Sequence, residues 1–265
     1  MKRMAVYVGN GRVLTRTANG FKLFVDARDV SIAPHLILDG VWEEHTEAVL
    51  RTLVRPGMTI VEIGANLGYF TLLMAQRAGS AGAVHAFECD PALAQLARDN
   101  LEVNGLSNVA NLHEMAVSDR EGSMRFFTAE RHRGGGTLVG GLAQIPELTA
   151  AERREIEVRS ITLDAFAATL SRPIDLIKID AEGAEPAILH GGRDVFSRRA
   201  PLTVVMEFCP AFFTQAGSDP EARLAELEEW GFRLYRIDER KRKASPVTRS
   251  ALLNVAYSEL VLRRP

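Results

Sequence analysis

Glycine and polar residues interrupt the chain directly after an apolar run, at a point where a packed core has no need of them. The run "TIVEI" at 59–63 leads into Gly64, Asn66 and Gly68, and an apolar segment restarts at Tyr69. Glycine permits a sharp turn and a close approach of backbone to ligand, and free amides at the start of a helix attract an anionic group. Asn66 stands where a dinucleotide motif has its middle glycine, which disfavours NAD.

Carboxylates follow three further apolar runs. Glu88 comes after "AVHAF" at 83–87, Asp180 and Glu182 come after "DLIKI", and Glu207 comes near the end of "LTVVMEF". An acidic residue after the second strand of such a sheet accepts hydrogen bonds from the ribose hydroxyls of an adenosine group. Carboxylates crowded at the ends of adjacent strands repel one another unless a cation, a basic residue or a substrate hydroxyl engages them. The pattern predicts a nucleotide-like ligand with a reaction centre beside it.

Strands and helices that position these residues alternate from residue 59 onward. Several strands are near-continuous apolar runs, which is typical of a parallel sheet buried on both faces, and the alternation predicts a doubly wound α/β domain. Asp90 and Pro91 have the residue types of a helix cap and a first helical position. The predicted strands lie at 59–63, 83–87, 109–113, 175–179, 202–207 and 232–237, and the predicted helices at 69–78, 91–104, 185–190 and 219–230.

The N-terminal region has a different pattern. The dipeptides Asn10-Gly11 and Asn19-Gly20 separate short β-rich runs, which is typical of hairpins. We therefore predict an extension of strands and a helix at 1–55, on the substrate side, and a ligand-binding domain at 56–265.

Two later segments interrupt the alternation. Residues 128–155 contain several glycines and are predicted to form a long functional or mobile loop. Within it, Arg131 and Arg133 either grip a phosphate or carboxylate or face solvent as a basic loop. The basic segment 238–250 is predicted to be a solvated turn before a final strand at 255–262.

The composition narrows the class of protein. The chain has 265 residues, a formal net charge of -2 and two cysteines, so it is long enough for a real core and has too few cysteines for a disulfide framework. No stretch approaches the roughly 18 apolar residues of a membrane span. These features predict a soluble cytoplasmic protein without a nucleic-acid partner, and they leave its oligomeric state open.

Several ordered blocks resemble the FkbM-type S-adenosylmethionine-dependent methyltransferases. They run from about residue 32 to residue 207 and include "GVWEEH", "VRPGMTIVEIGANLGYFTLLMAQ", "VHAFECDPA", "LEVNGLSNV", "DLIKIDAEGAEPAILHGG" and "VVMEF". The resemblance implies a class I methyltransferase fold, which is a Rossmann-like, seven-stranded and mostly parallel sheet whose last strand is antiparallel. It implies S-adenosylmethionine as the cofactor.

The same resemblance implies roles for individual residues. Asp180 and Glu182 would lie at the methyl-transfer centre, where either is a candidate general base, and Asp180 would also touch the cofactor. Glu88 would hold the ribose. The other residues implied to bind the cofactor are Glu62, Gly64, Asn66, Gly68 and Tyr69 at the methionine end and Ala116 and Val117 beside the adenine.

The implied reaction is transfer of a methyl group to a hydroxyl of a small molecule, sugar or natural product. The acceptor hydroxyl has to be aligned with the sulfonium methyl and has to lose its proton to a base. A divalent metal held by Asp180 and Glu207 is an alternative way to bind the hydroxyl, but we predict no metal. Three other functions stay open, which are methylation of a nitrogen, an NAD-type oxidoreductase and a methyltransferase-like domain that only binds.

Overall fold

The computed structural model describes residues 4–129, 131–139 and 153–265. Its strands are β1 (Val6–Gly9), β2 (Arg12–Arg16), β3 (Lys22–Asp26), β4 (Thr59–Ile63), β5 (Ala83–Phe87), β6 (Ala110–His113), β7 (Ala116–Ser118), β8 (Gly122–Ala129), β9 (Arg153–Thr162), β10 (Leu176–Ile179), β11 (Leu202–Phe208), β12 (Arg233–Asp238), β13 (Lys243–Pro246) and β14 (Ser258–Arg264). Its helices are α1 (Ala33–Leu38), α2 (Glu44–Leu53), α3 (Tyr69–Ala78), α4 (Pro91–Val103), α5 (Leu163–Ala167), α6 (Glu185–Gly191), α7 (Arg193–Ser197), α8 (Pro210–Gln215), α9 (Pro220–Glu229) and α10 (Arg249–Leu253).

The central sheet of the described chain has the strand order β13-β12-β14-β11-β10-β4-β5-β6. Strands β11, β10, β4, β5 and β6 are parallel to one another, and β14 is antiparallel to both β11 and β12. This is the predicted doubly wound, mostly parallel class I arrangement with an antiparallel closing strand. The predicted count of seven strands is exceeded by β13, which pairs with β12. The basic segment predicted to be a solvated turn therefore contains a short edge strand.

Alternate residues of the central strands enter two separate apolar cores. Ile60 and Leu176 pack with helices α1–α4, and Val61 and Ile177 pack with helices α5–α10. Successive side chains of a strand point to opposite faces, so a near-continuous apolar run is what two covered faces require. This explains why the bounds of β4 and β5 could be predicted without error.

Helix α4 follows from its own sequence. The Asp90 side chain accepts hydrogen bonds from the amides of Ala92 and Leu93 at 2.8 and 3.3 Å, and Pro91 opens the first turn. A cap of this kind stabilises a helix by about 1 kcal/mol. The cap fixes the start of the helix directly after Glu88, which lies at the end of β5.

The N-terminal sheet β1-β2-β3 rests on α4. Both predicted hairpins are present, with β1 paired to β2 and β2 paired to β3 in antiparallel register. The side-chain amide of Asn100 donates to the carbonyl of Phe24 at 3.1 Å, and its oxygen accepts from the Phe24 amide at 2.6 Å. The division of the chain at residue 55 stays a prediction.

A third sheet has the order β7-β9-β8. Because β8 ends at Ala129 and β9 begins at Arg153, both ends of the predicted loop 128–155 are strand. Residues 130 and 140–152 of that loop lie outside the described residues. The described helices include none with the length and apolar character needed to cross a membrane.

Candidate functional site

A cleft opens at the carboxyl ends of β4, β5 and β10, where ligands of doubly wound sheets bind. The predicted site residues that line it are Gly64, Asn66, Tyr69, Glu88, Ala116, Val117, Asp180 and Glu182. Glu62 and Gly68 lie behind its wall. The structure thus brings the ends of several strands together around one space, as the sequence pattern required.

The turn after β4 forms one wall of the cleft. Gly64 has a φ of 85°, and a Cβ at this position would stand 1.7 Å from the carbonyl oxygen of Asp180. Only glycine fits there, because the obstacle is backbone. The amides of Gly64 and Ala65 both donate to the carbonyl of Phe87, at 3.0 and 2.9 Å. The turn is therefore fixed between β5 and β10 without help from a ligand.

Glu88 is held beside this turn by the backbone. Its two carboxylate oxygens accept from the amides of Asn66 and Asp90, each at 2.8 Å. Burial raises the pKa of Glu88 to about 7, although these backbone donors act in the opposite direction. The carboxylate lines the cleft at the end of β5, which is the place where such sheets bind a ribose.

The far side of the cleft is apolar. Ala116 and Val117 of β7 are buried and line it together with Leu93, Met115 and Phe126. A flat aromatic base fits a slot of this composition, because it can bury its faces while its edge meets backbone groups. The arrangement of an apolar slot, a carboxylate and a glycine turn fits an adenosine-bearing cofactor.

Glu62 and Tyr69 make contacts within the fold. Glu62 is fully buried in β4 and accepts a 2.5 Å hydrogen bond from the hydroxyl of Thr71. Burial raises its pKa to about 7.

Tyr69 lines the cleft, and its hydroxyl donates to Glu47 at 2.5 Å. Gly68 lets α3 begin close to α4, since a Cβ there would lie 3.3 Å from that of Ala97.

A buried ion pair lies at the end of β10. The Lys178 ammonium is 2.9 Å from Asp180 Oδ2 and 4.8 Å from the centre of the Phe70 ring, and Lys178 is only 2% exposed. Burial alone would lower the pKa of Lys178, but the carboxylates of Asp180 and Glu62 raise it above its ordinary value. Lys178 therefore supplies a permanent countercharge for Asp180.

Glu182 differs from Asp180 in its surroundings. Its backbone has a φ of 49°, and its carbonyl accepts from the hydroxyl of Thr137 at 2.7 Å. Burial, followed by the charge of Asp180, raises the pKa of Glu182 well above its ordinary value. The two candidate bases thus have different charge environments, since Asp180 has a cation and Glu182 has further carboxylates.

Arg133 is a structural residue of the cleft wall. It is 7% exposed, and its guanidinium lies 2.8 Å from Asp26 and 3.5 Å from Asp90. Its carbonyl accepts from the side chain of Asn66 at 2.9 Å. Both interpretations offered for Arg133 are therefore wrong, because this side chain neither faces solvent nor has its guanidinium free to grip an anion.

Lys178 was missed as a site residue, although the sequence carried a signal for it. A lysine in the middle of the apolar run "DLIKI" occupies a buried strand position, which requires a buried partner. The partnership of Arg133 had no comparable signal, since it joins segments far apart in the chain. Within the described residues, no group of three or more His, Cys, Asp or Glu side chains is arranged to hold a metal ion.

A family model described as "Methyltransferase FkbM domain" matches residues 62–234, well over half of the chain. Protein-L-isoaspartate O-methyltransferase of Methanococcoides burtonii is 44% identical over 72 residues, 26% of this chain and 36% of that protein. 23S rRNA (uracil(1939)-C(5))-methyltransferase RlmD of Klebsiella pneumoniae subsp. pneumoniae is 34% identical over 104 residues, 39% of this chain and 22% of that protein. The 2-O-methyltransferase NoeI of Sinorhizobium fredii is 26% identical over 192 residues, 62% of this chain and 76% of that protein.

The similarity to the first two relatives is confined to part of their length. The chain spans little more than a third of the isoaspartate enzyme and about a fifth of the rRNA enzyme. One prediction is corrected by these matches. The exclusion of a nucleic-acid partner is wrong, because a relative of this chain is an rRNA methyltransferase. The balanced net charge on which that exclusion rested describes the whole chain and says nothing of a local surface.

Proposed function

The chain belongs to the FkbM methyltransferase family and uses S-adenosylmethionine, and on that premise we propose that it transfers a methyl group to a hydroxyl oxygen of a small molecule, sugar or natural product. The proposal rests on one observation above the others. Asp180 lies in the cleft, at the end of β10, with the buried Lys178 ammonium 2.9 Å from its carboxylate. An oxygen acceptor needs such a base, because a hydroxyl has to lose its proton as it attacks.

The residues around the cleft fit the cofactor. We assign Glu88 to the ribose hydroxyls, Ala116 and Val117 to the adenine, and the Gly64–Asn66 turn and Tyr69 to the methionine end. When bound, S-adenosylmethionine supplies an activated methyl group on a positively charged sulfur. We assign supporting roles to Glu62, which adjoins Lys178, and to Gly68, which lets α3 start against α4.

Asp180 is the general base in this proposal, and Glu182 borders the acceptor. The ion pair fixes the direction of the Asp180 carboxylate and leaves its second oxygen, Oδ1, to accept a proton. Burial and the neighbouring carboxylates raise the pKa of Glu182 above its ordinary value, which disfavours the ionised form that a general base needs. It can instead donate a hydrogen bond to the acceptor.

Two relatives support an oxygen acceptor through their names. Both the isoaspartate enzyme and NoeI are named as O-methyltransferases. Methylation of a nitrogen remains the second candidate, and it would leave Asp180 with a weaker role because a neutral amine can attack without prior loss of a proton. A cytoplasmic location is also part of the proposal, and it is supported by the two free thiols, Cys89 and Cys209.

The test is methyl transfer from S-adenosylmethionine with an isotopically labelled methyl group. The acceptor panel would contain sugars, phenols, amines and RNA, and NMR of each product would show which atom carries the label. We expect label on hydroxyl oxygen, and label found only on nitrogen or carbon would refute the proposal. Calorimetry with S-adenosylmethionine and with NAD is the control for the cofactor, and we expect binding of the former alone.

A further inference from the structure

Three carboxylates stand side by side across adjacent strands next to the methyl-transfer centre. Ile179 of β10 pairs with Met206 of β11, so the next residues, Asp180 and Glu207, are neighbours where β10 ends. Glu207 in turn lies directly opposite Glu259 of β14. Paired residues of adjacent strands point to the same face. We call Asp180, Glu207 and Glu259 the acidic row.

The acidic row lacks the partners that buried carboxylates need. Glu207 is only 7% exposed, and its Oε2 atom is buried without a hydrogen-bond partner. Glu259 accepts one hydrogen bond, from the hydroxyl of Tyr257 at 2.5 Å. Like charges directly opposite each other in a ladder are destabilising, and an unpaired buried carboxylate costs more still. The acidic row by itself therefore does not stabilise the fold.

Countercharge for the row is also lacking. Among residues 4–129, 131–139 and 153–265, one ion pair involves a member of the row, and it joins Lys178 to Asp180. A fourth carboxylate, Glu43, begins α2 with a left-handed φ of 43°, and its Oε2 is buried without a partner. The charge of Glu43 acts on Glu259 and Asp180. Among the described residues, Lys178 is therefore the one cation that forms an ion pair with any of these four carboxylates.

The row leads out of the cofactor cleft. Glu43, Lys178 and Asp180 line that cleft, whereas Tyr257 and Glu259 line a neighbouring depression whose other charged or titratable residues are His45, Arg236, Asp238, Glu239 and Arg240. Glu207 lies between the two in the register of the sheet. A molecule whose hydroxyl reaches Asp180 would place its next few atoms along the row.

We propose that the acidic row and Glu43 form an acceptor subsite for a positively charged ammonium group on a small hydroxyl-bearing molecule. This inference rests on the proposed methyl transfer, of which it names the substrate class. An ammonium group offers three donors and a full charge, which is what the unpartnered oxygens lack. Neutral hydroxyls would supply donors and leave the excess charge in place. The carboxylates also lack the arrangement of a metal site among the described residues.

The first test needs no ligand. Burial and the neighbouring carboxylates raise the pKa of Glu207, so its ionisation costs stability as pH rises. Glu207→Gln removes that ionisation without changing the shape of the side chain, and we expect the unfolding midpoint at about pH 9 to rise by about 2–4 °C. The matched control is Glu229→Gln, at the exposed end of α9, which should change the midpoint by about 1 °C or less. A midpoint lowered by Glu207→Gln would show that the carboxylate has a structural partner and would overturn the proposal.

The second test compares sugars that differ at one ring position, where the substituent is an ammonium group, a hydroxyl or a neutral amide. Glucosamine, glucose and N-acetylglucosamine would be titrated by calorimetry into protein saturated with S-adenosylhomocysteine. We expect glucosamine to bind about tenfold more tightly than either neutral sugar, and Glu207→Gln and Glu259→Gln to abolish that preference while Glu229→Gln retains it. If glucosamine binds no more tightly than glucose, or if none of the three binds, the proposal is wrong.

The two proposals fail in different ways. The charge preference is a binding measurement on a protein that cannot turn over, so it holds or fails without regard to the atom that is methylated. Label found on nitrogen would refute the oxygen acceptor and leave the preference standing. Label on oxygen with no charge preference would refute the ammonium subsite and leave the methyltransferase assignment standing.

Discussion

Glu88 and Glu207 are both glutamates at the carboxyl end of a parallel strand, and each is 7% exposed, but their surroundings are opposite. Glu88 has two backbone amides at 2.8 Å, one on each carboxylate oxygen. Glu207 has an oxygen without a partner and has Glu259 directly across the ladder. Burial raises the pKa of both, and that of Glu207 is raised further because neighbouring carboxylates add to the effect.

The difference separates two parts of the site, which are the cofactor half around Glu88 and the acceptor half along the acidic row beside the cleft. On the proposed cofactor half, backbone amides engage both carboxylate oxygens of Glu88, so this side chain is preorganised, although Oε1 of Glu62 in β4 is buried without a partner. On the proposed acceptor half, at β10, β11 and β14, Glu207 has a buried oxygen without a partner in the protein. Stability given up at a functional site is a common feature of enzymes, and the unpartnered oxygens of Glu43 and Glu207 lie on the half that we propose to bind the acceptor.

The largest effect is expected where the halves meet, at Asp180. Asp180→Asn should lower turnover by about 10²–10⁴-fold and change affinity for S-adenosylmethionine much less, because the base acts on the acceptor. Glu182→Gln is the matched comparison and should cost less turnover. Calorimetry and a labelled-methyl assay on both variants would measure this. A greater loss in Glu182→Gln would transfer the role of base to Glu182.

Gly64 tests the backbone contact that joins the halves. A Cβ at Gly64 would overlap the Asp180 carbonyl oxygen at 1.7 Å, and the residue has a φ of 85°. We expect Gly64→Ala to lower the free energy of unfolding by about 2–5 kcal/mol, from strain and forced displacement together. Urea unfolding is the measurement.

Gly105 provides the control for that substitution. It has a φ of 68° and open space where a Cβ would stand, so Gly105→Ala should show the cost of the left-handed backbone alone, about 1 kcal/mol. Equal losses in the two variants would mean that the contact between Gly64 and Asp180 relaxes freely.

We expect high pH to lower the free energy of unfolding through the buried carboxylates of the acceptor half. Burial raises the pKa of Glu259 to about 7 and that of Glu43 to about 8. A folded pKa above the unfolded value contributes stability that is complete below the unfolded pKa, near 4.5, and is lost as pH rises through the folded pKa. We expect the free energy of unfolding to fall by about 2–4 kcal/mol from pH 5 to pH 8. Urea unfolding should show a flatter profile for Glu259→Gln, and an unchanged profile would contradict the prediction.

Glu88 tests the preorganised half. Glu88→Gln keeps the shape of the side chain but turns one acceptor into a donor that faces a backbone amide, so we expect affinity for S-adenosylmethionine to fall by about 10–100-fold. Glu102→Gln, on the exposed side of α4, is the control and should bind normally. Calorimetry would measure both, and normal binding by Glu88→Gln would remove Glu88 from the cofactor site.

The sequence predicted the cofactor half more completely than the acceptor half. Strands β4 and β5 could be bounded because apolar runs and turn residues are local signals. Lys178 pairs with a residue two positions away, but its place beside Glu62 depends on the register between β4 and β10. The meeting of Glu207 with Glu259, and of Arg133 with Asp26, joins segments far apart in the chain, and no local pattern encodes such contacts. The role of each predicted site residue stays a prediction until substitutions are measured.

The smallest expected effect concerns His113, which lies behind the cofactor half. Its contribution to the free energy of unfolding changes with pH in the opposite direction. The carbonyl of His113 accepts from the Glu88 amide at 3.1 Å, and the His113 ring stacks on Phe87. Burial, with a smaller contribution from His85, lowers the pKa of His113 to about 4. A folded pKa below the unfolded value gives stability that is present above pH 6.5 and is lost as pH falls towards 4.

This loss should amount to about 1–2 kcal/mol between pH 7 and pH 5. Because the buried carboxylates gain stability over the same interval, the readout is the difference between the native chain and His113→Phe in urea unfolding. His190→Gln, at an exposed position, is the control and should follow the native profile. If His113→Phe also follows it, the two halves respond to pH through carboxylates alone. If it does not, acid weakens the support of the cofactor half through His113, whereas base weakens both halves through their buried carboxylates.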